Sequence, residues 1–299
     1  MTSIEQLRGV WNIVPTPFRD DSTLDEQSIG RLVDFVVGTG VDGMTVLGVM
    51  GEVGRLSDDE RRRVVELTVA QAAGRVPICV GVSHAATDRA VAFALEAETL
   101  GAHSVMLAPP ALAKPNDDAV RAHYAAVAGA VHIPVVVQDH PTSSNVWMSV
   151  GVLAGLVAAS PLCRVIKLED EPSPPKIRRL LAAAPEAVVL GGLGAIMLLE
   201  ELRAGASGTM TGFGYPDVLV EIVGRWFAGD EEGARTAFYG VLPLIRFENQ
   251  PGVNVAIRKE IYRRRGAMSS ARVRAPGGQL DPGTLADLDD VLEHLQLPA

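Results

Sequence analysis

The stretch PICVGVSHAATDRAVAFALEAETLGAHSVMLAP (residues 77–109) holds the pattern from which the whole chain is built. PICVGV (77–82) is a short apolar, β-rich run. TDRAVAFALEAETLGA has the three-to-four-residue apolar period of an amphipathic helix closed by Gly101, and HSVMLAP (103–109) is a second β-rich run. One strand, one helix and one strand of like character make a βαβ unit, which pairs its strands in parallel.

The same unit recurs along the chain. Strands are expected at 10–15, 43–48, 77–82, 103–109, 134–139, 163–169, 187–192 and 208–212, with helical stretches between them. Ser57 followed by Glu60 reads as a helix-capping box, and glycines 40, 74 and 101 read as helix ends. Eight repeats at a spacing of roughly 25–35 residues predict a (β/α)8 TIM barrel, an α/β fold. A doubly wound sheet more often carries a Gly-rich phosphate turn after its first strand, and here that turn reads PTPF. Beyond residue 216 the pattern is helical only. The expected division is a barrel over 1–216 and a C-terminal helical extension over 217–299 packed on it.

Composition narrows the function. A hydrophobic content of 47% supplies a large core, and a net charge of −9 argues against a nucleic-acid or anionic-membrane surface. Cys79 and Cys163 stand far apart in apolar strands and read as packing residues. The start MTSIEQLRGV lacks the basic-then-apolar plan of a signal peptide, and no run of about 18 apolar residues appears. A cytoplasmic protein without membrane contact is expected. No His/Glu/Asp cluster recurs at strand ends, so no metal and no cofactor are expected, and a metal-dependent aldolase is disfavoured. The arginine runs 61–63 and 263–265 read as solvated or subunit-facing helix edges.

In such barrels chemistry sits at the C-terminal ends of the strands. That rule selects Thr16, Gly48 to Glu52, Ser83 and His84, the 109–115 loop, Gln138 to His140, Lys167 to Asp170, Gly191 to Gly194 and Met210 to Tyr215. Lys167, within RVIKLE (164–169), is one of only four lysines in the chain. The other three read as ordinary: Lys114 is in a loop, Lys176 follows the turn PSPP, and Lys259 sits among arginines on a helix. A lysine in a barrel mouth loses hydration, which disfavours its ammonium form, and a neutral amine can attack a ketone to give an imine. The other use of Lys167 is an ion pair with Glu169 or Asp170.

Several motifs in order resemble the dihydrodipicolinate synthase / N-acetylneuraminate lyase family of pyruvate-dependent class I aldolases, over nearly the full chain. They are PTPF (15–18), LGVMGE (47–52), QDHP (138–141), IK (166–167), GASGTMTG (205–212) and RAPGGQL (274–280). The resemblance implies that Lys167 is the Schiff-base lysine acting on a small 2-oxo acid. It implies pyruvate contacts at Met50 and Met210 and a homotetramer built as a dimer of dimers; with the strand-end positions Thr16, Gly48, Val49, Gln138, Gly192 and Tyr215 these make the expected substrate-binding set.

The chain also departs from the family. Val49 and Met50 stand where hydroxyl residues are usual, although backbone N–H groups of a Gly-flanked turn can still hold a carboxylate. Gln138 replaces the proton-relaying tyrosine, the 109–115 loop lacks the synthase tyrosines, and TSSN (142–145) lacks the synthase arginine. These losses argue against dihydrodipicolinate synthesis. Val49, Met50, Leu112, Leu193 and Met210 imply a less polar pocket than a sugar site. His140 shares a strand face with Gln138 and is the leading proton relay, followed by His84 and Tyr215. His103, His123, His132 and His294 read as structural. The expected function is a Schiff-base lyase, an aldolase or dehydratase. The alternative is a catalytically impaired metabolite-binding or scaffold protein.

Overall fold

The computed structural model describes residues 7–114 and 116–298. Pro115 of the expected strand-four loop, the first six residues of the stretch read for a signal peptide, and Ala299 of the extension lie outside the described residues.

Eight strands form in the expected order: β1 Gly9–Ile13, β2 Gly43–Val46, β3 Ile78–Gly81, β4 Ser104–Leu107, β5 Val135–Asp139, β6 Val165–Leu168, β7 Val188–Leu190 and β8 Gly208–Thr211. Each neighbouring pair is parallel, and β1 pairs with both β2 and β8. The ring closes where Gly191 bridges Thr209, with Met210 N donating to Gly191 O at 2.9 Å. This is a (β/α)8 barrel.

The helices are α1 Glu26–Gly38, α2 Asp58–Ala72, α3 Thr87–Thr99, α4 Asp117–Ala130, the single turn α5 Pro141–Ser144, α6 Val150–Ala159, α7 Ser173–Ala183, α8 Leu198–Arg203, α9 Pro216–Phe227, α10 Glu231–Glu248, α11 Asn254–Arg264 and α12 Pro282–His294. Local sequence explains several ends. Ser57 Oγ accepts the Glu60 N–H while Glu60 returns a bond to the Ser57 N–H, so the capping box forms. α9 packs on β1 and completes the eighth strand–helix pair. The barrel's last helix therefore lies beyond the boundary expected at 216, and α10 opens the helical extension. Among the described residues no helix is long and apolar enough to cross a membrane.

Strand side chains alternate between two cores. Val10, Met44, Val46, Val105, Val137, Ile166 and Leu168 face the helices, whereas Trp11, Ile13, Cys79, Met106, Val136, Val165, Leu190 and Met210 fill the barrel. Lys167 has the inward parity of Val165, and Gln138 that of Val136. The packed interior is a floor on which these two polar residues stand, at the C-terminal rim.

Candidate active site

Gln138 and Lys167 are register partners on β5 and β6. Glu169 follows Lys167 by two residues, and its backbone N–H donates to Asp139 O at 2.8 Å, extending the pairing past the strand end. Its side chain therefore returns to the same inward face. Lys167 Nζ lies 2.9 Å from Glu169 Oε2, the Gln138 amide donates to that oxygen at 3.1 Å, and the Leu193 N–H donates to Oε1 at 3.2 Å. Lys167 is 3% exposed and Glu169 6%. Gly192 makes room for the carboxylate, since a Cβ there would fall 2.5 Å from Glu169 Cγ.

Burial pushes the Glu169 carboxyl up, but Lys167, His140 and the hydrogen bonds outweigh it and hold the group below its ordinary range. Glu169 is thus a carboxylate at neutral pH. It is the residue that sequence reasoning leaves as a mere ion-pair partner. Its i+2 spacing from Lys167 puts it on the same face, but its contacts with Gln138 and Leu193 depend on the fold.

The outward neighbours form a clamp. Lys176 on α7 binds Asp139 at 2.6 Å, Asp170 at 2.8 Å and the Met148 carbonyl at 2.6 Å. One ammonium ties the ends of β5 and β6, each beside a site residue. Lys176, ordinary in its local sequence, is buried. Lys259 is also fully buried, paired with Glu52 and donating to Arg272 O at 2.7 Å, and burial pulls it down to about 8. Of the arginine runs, Arg61 departs from the expected edge. It is buried, donates to Gly81 O at 3.3 Å and stacks 4.0 Å over Phe93.

The turn after β2 is held by Thr16, whose Oγ1 donates to Gly51 O at 2.7 Å. Gly51 N and Glu52 N bond within the turn to Gly48 O and Val49 O. Among the described residues the Val49 and Met50 N–H groups take no partner. A cleft of about 240 Å³ runs over this turn, between Leu47, Gly48, Val49, Met106, Ala108 and Gln138. The expected apolar lining is only partly realised: Val49 is 54% and Leu112 39% exposed, so both point to the open rim. Met210 is wholly buried in the barrel floor. A larger cleft, about 880 Å³, lies at the opposite end by Gly9, Asp42, His103 and Ser207, where the strands begin.

The proton-relay candidates separate. His140 starts α5, and its Nε2 pairs with Thr142 Oγ1 at 2.8 Å while Nδ1 is buried without a partner among the described residues. Burial pulls its pKa down, with the Glu169 and Lys167 charges also felt at the ring, so it is neutral near pH 7. His84 is exposed, and its Nδ1 accepts the Ala86 N–H at 2.9 Å. Tyr215 turns away. Its hydroxyl donates to Pro298 O at 2.7 Å, Arg265 covers its ring at 4.3 Å, and burial pushes it up to about 12. The substrate contact expected of Tyr215 is not supported by this placement, because the C-terminal tail has claimed its hydroxyl.

A parallel eightfold barrel with a buried lysine–carboxylate pair at its mouth is the frame of a lyase of the class I aldolase type. The chain belongs to the dihydrodipicolinate synthetase family, whose model matches residues 6–295. It is 36% identical over 300 residues to an L-2-keto-3-deoxyarabonate dehydratase of Azospirillum brasilense, covering 98% of this chain and 96% of that one. It is 32% identical over 289 residues to a 4-hydroxy-tetrahydrodipicolinate synthase of Agrobacterium fabrum, covering 94% and 96%. The crystal structure of a dihydrodipicolinate synthase from Rhodopseudomonas palustris superposes with a TM-score of 0.91 at 34% identity, over 96% of this chain and 97% of that one.

Proposed function

We propose that this lyase dehydrates a 2-keto-3-deoxy sugar acid through an imine at Lys167, with Glu169 as its acid–base group. The carrying observation is the 2.9 Å contact between Lys167 Nζ and Glu169 Oε2, in a site where Gln138 cannot titrate. Glu169 is placed to take the proton that Lys167 must lose before it attacks the C2 carbonyl. The free N–H groups of Val49 and Met50 would hold the substrate carboxylate.

Glu169 returns the proton taken from Lys167 to the carbinolamine hydroxyl, which leaves as water, and is a carboxylate again. With the iminium formed, it removes a C3 proton, and the C3–H electrons form C2=C3 as the iminium becomes a neutral enamine. That step discharges the cation which holds Glu169 low, so burial then favours its protonated form. The enamine nitrogen next pushes its electrons back, the C4–O bond breaks, and the hydroxide leaves as water with the proton from Glu169. The orphaned Nδ1 of His140 would assist the departing hydroxyl. Water hydrolyses the unsaturated imine and frees Lys167.

The likeness to the Azospirillum dehydratase supports this choice of substrate. Gln138 in the tyrosine position and the tyrosine-free strand-four loop oppose a synthase role. We further propose a cytoplasmic homotetramer, in line with the family resemblance. The test incubates the protein with a 2-keto-3-deoxypentonate and borohydride. Covalent mass at Lys167 and release of a dehydrated product are expected. Mass gain without product would favour the metabolite-binding reading, and no mass gain at Lys167 would overturn the imine.

A further inference from the structure

Arg258, on α11, is 3% exposed and connects three turns of the barrel mouth. Its Nε donates to Glu248 Oε2 at 2.9 Å, Nη2 to Asn249 Oδ1 at 2.7 Å, and Nη1 to the Met50 thioether at 3.2 Å. Glu248 accepts the Gly214 N–H at 3.0 Å, after β8. Asn249 donates to the Leu193 and Gly194 carbonyls at 3.2 and 3.4 Å, after β7. Met50 belongs to the turn after β2.

The charge balance of this hub is uneven. A thioether is a weak acceptor, so one buried arm of the guanidinium is poorly compensated. Glu248 is the guanidinium's ion-pair partner at 2.9 Å on the Nε side, away from the thioether arm. Arginine stays charged wherever it is buried. The arm that faces the Gly48–Gly51 turn, Nη1 on the Met50 thioether, is thus the least compensated of the guanidinium, and it lies beside the Val49 and Met50 N–H groups, which take no partner among the described residues.

We infer that Arg258 sets the specificity of this turn for an anionic 2-oxo acid, fixing the turn through Met50 and lending its charge to the bound carboxylate. It is a positioning residue, and it substitutes for the hydroxyls that Val49 and Met50 lack. The inference rests on the imine reading above.

The test compares pyruvate with methyl pyruvate, which keeps the ketone but has no carboxylate charge. Half-saturation of borohydride trapping at Lys167 is measured for wild type, R258K and the pair R258M/E248Q. E248Q accompanies R258M because the arginine's loss alone would strand a buried carboxyl. In the paired variant, half-saturation for pyruvate is expected to rise roughly tenfold or more, as for a lost charge partner in a semi-polar site, with methyl pyruvate little changed. R258K, which keeps the charge, is expected to retain the preference for the acid. Equal shifts for both ligands would mark a purely structural role and overturn the inference, as would an R258K that loses the preference. If the pair does not fold, M50E sets a carboxylate against the intact Arg258 and is read in the same way. Wild type that traps neither ligand overturns the imine reading, and this inference with it.

Discussion

Gln138 and Lys167 face each other across β5 and β6, and their side-chain nitrogens meet on one oxygen of Glu169, at 3.1 and 2.9 Å. The family's usual relay position is thus occupied by a group that orients the carboxylate and cannot exchange a proton itself. In the proposed scheme the C3 proton is assigned to Glu169.

Replacing Lys167 by arginine keeps the charge and nearly the length but removes imine chemistry. K167R should fold, show no covalent mass after borohydride with any 2-oxo acid, and have no measurable turnover. Residual turnover would reject the covalent role, because an electrostatic role partly survives this change.

Glu169→Gln preserves shape and can still accept from Leu193. Turnover should fall about 10²–10⁴-fold, the usual weight of a positioned acid–base group. Trapping at Lys167 should persist at high 2-oxo acid, more slowly. The check is the ratio of trapped mass to product formed, which rises only if Glu169 acts after the imine.

His140→Ala tests the second proton group. Its neutral ring and Thr142 contact give it a supporting place, so a loss of about 10²-fold is expected, at the low end for such groups and smaller than for E169Q. Normal turnover from pH 5 to 9 would remove His140 from the scheme.

A synthase assay gives the negative control. Without the strand-five tyrosine and the loop tyrosines, the protein should not condense pyruvate with aspartate semialdehyde in a coupled reductase assay. Brisk turnover would show that Gln138 and Glu169 can run that reaction too.

Glu201 links stability to pH. It is fully buried, accepts from Ser173 Oγ at 2.6 Å, and burial pushes it up to about 7 from an ordinary 4.5. The folded chain then holds this proton more tightly than the unfolded chain between those values. Its contribution to stability is present below pH 4.5 and is lost as pH rises through 7. Glu201→Gln should therefore gain on wild type by roughly 3 kcal/mol at pH 8 relative to pH 4, read as the pH dependence of the difference in Tm. A gap that does not widen with pH would show that Glu201 is ionised in the folded protein.

All eight strands were legible because each is a short apolar run bounded by turn and cap residues, and parallel pairing follows from the helices between them. Lys167 was legible through its rarity and strand-end position. Glu169 was not, because its role depends on the β5–β6 register and on the missing Cβ of Gly192. Lys176 and Lys259 lie in polar helix sequences beside arginines, so they look exposed. Their partners Asp139 and Glu52 arrive from distant segments, and only the fold brings them together. Val49 does line the cleft, as its place in the motif suggests, but at its open rim and half exposed, which the motif alone does not reveal.

The burial of three of the four lysines also decides how the protein meets amine-directed reagents. Lys167, Lys176 and Lys259 are each at most 5% exposed, whereas Lys114 lies exposed in the loop after β4. Among the described residues, a mild acylating label on the folded protein should therefore mark Lys114 first. Immobilisation through that side chain would hold each molecule by the β4 loop, close to the cleft that runs over the Gly48–Gly51 turn. A support attached there would be expected to hinder entry of large substrates more than small ones.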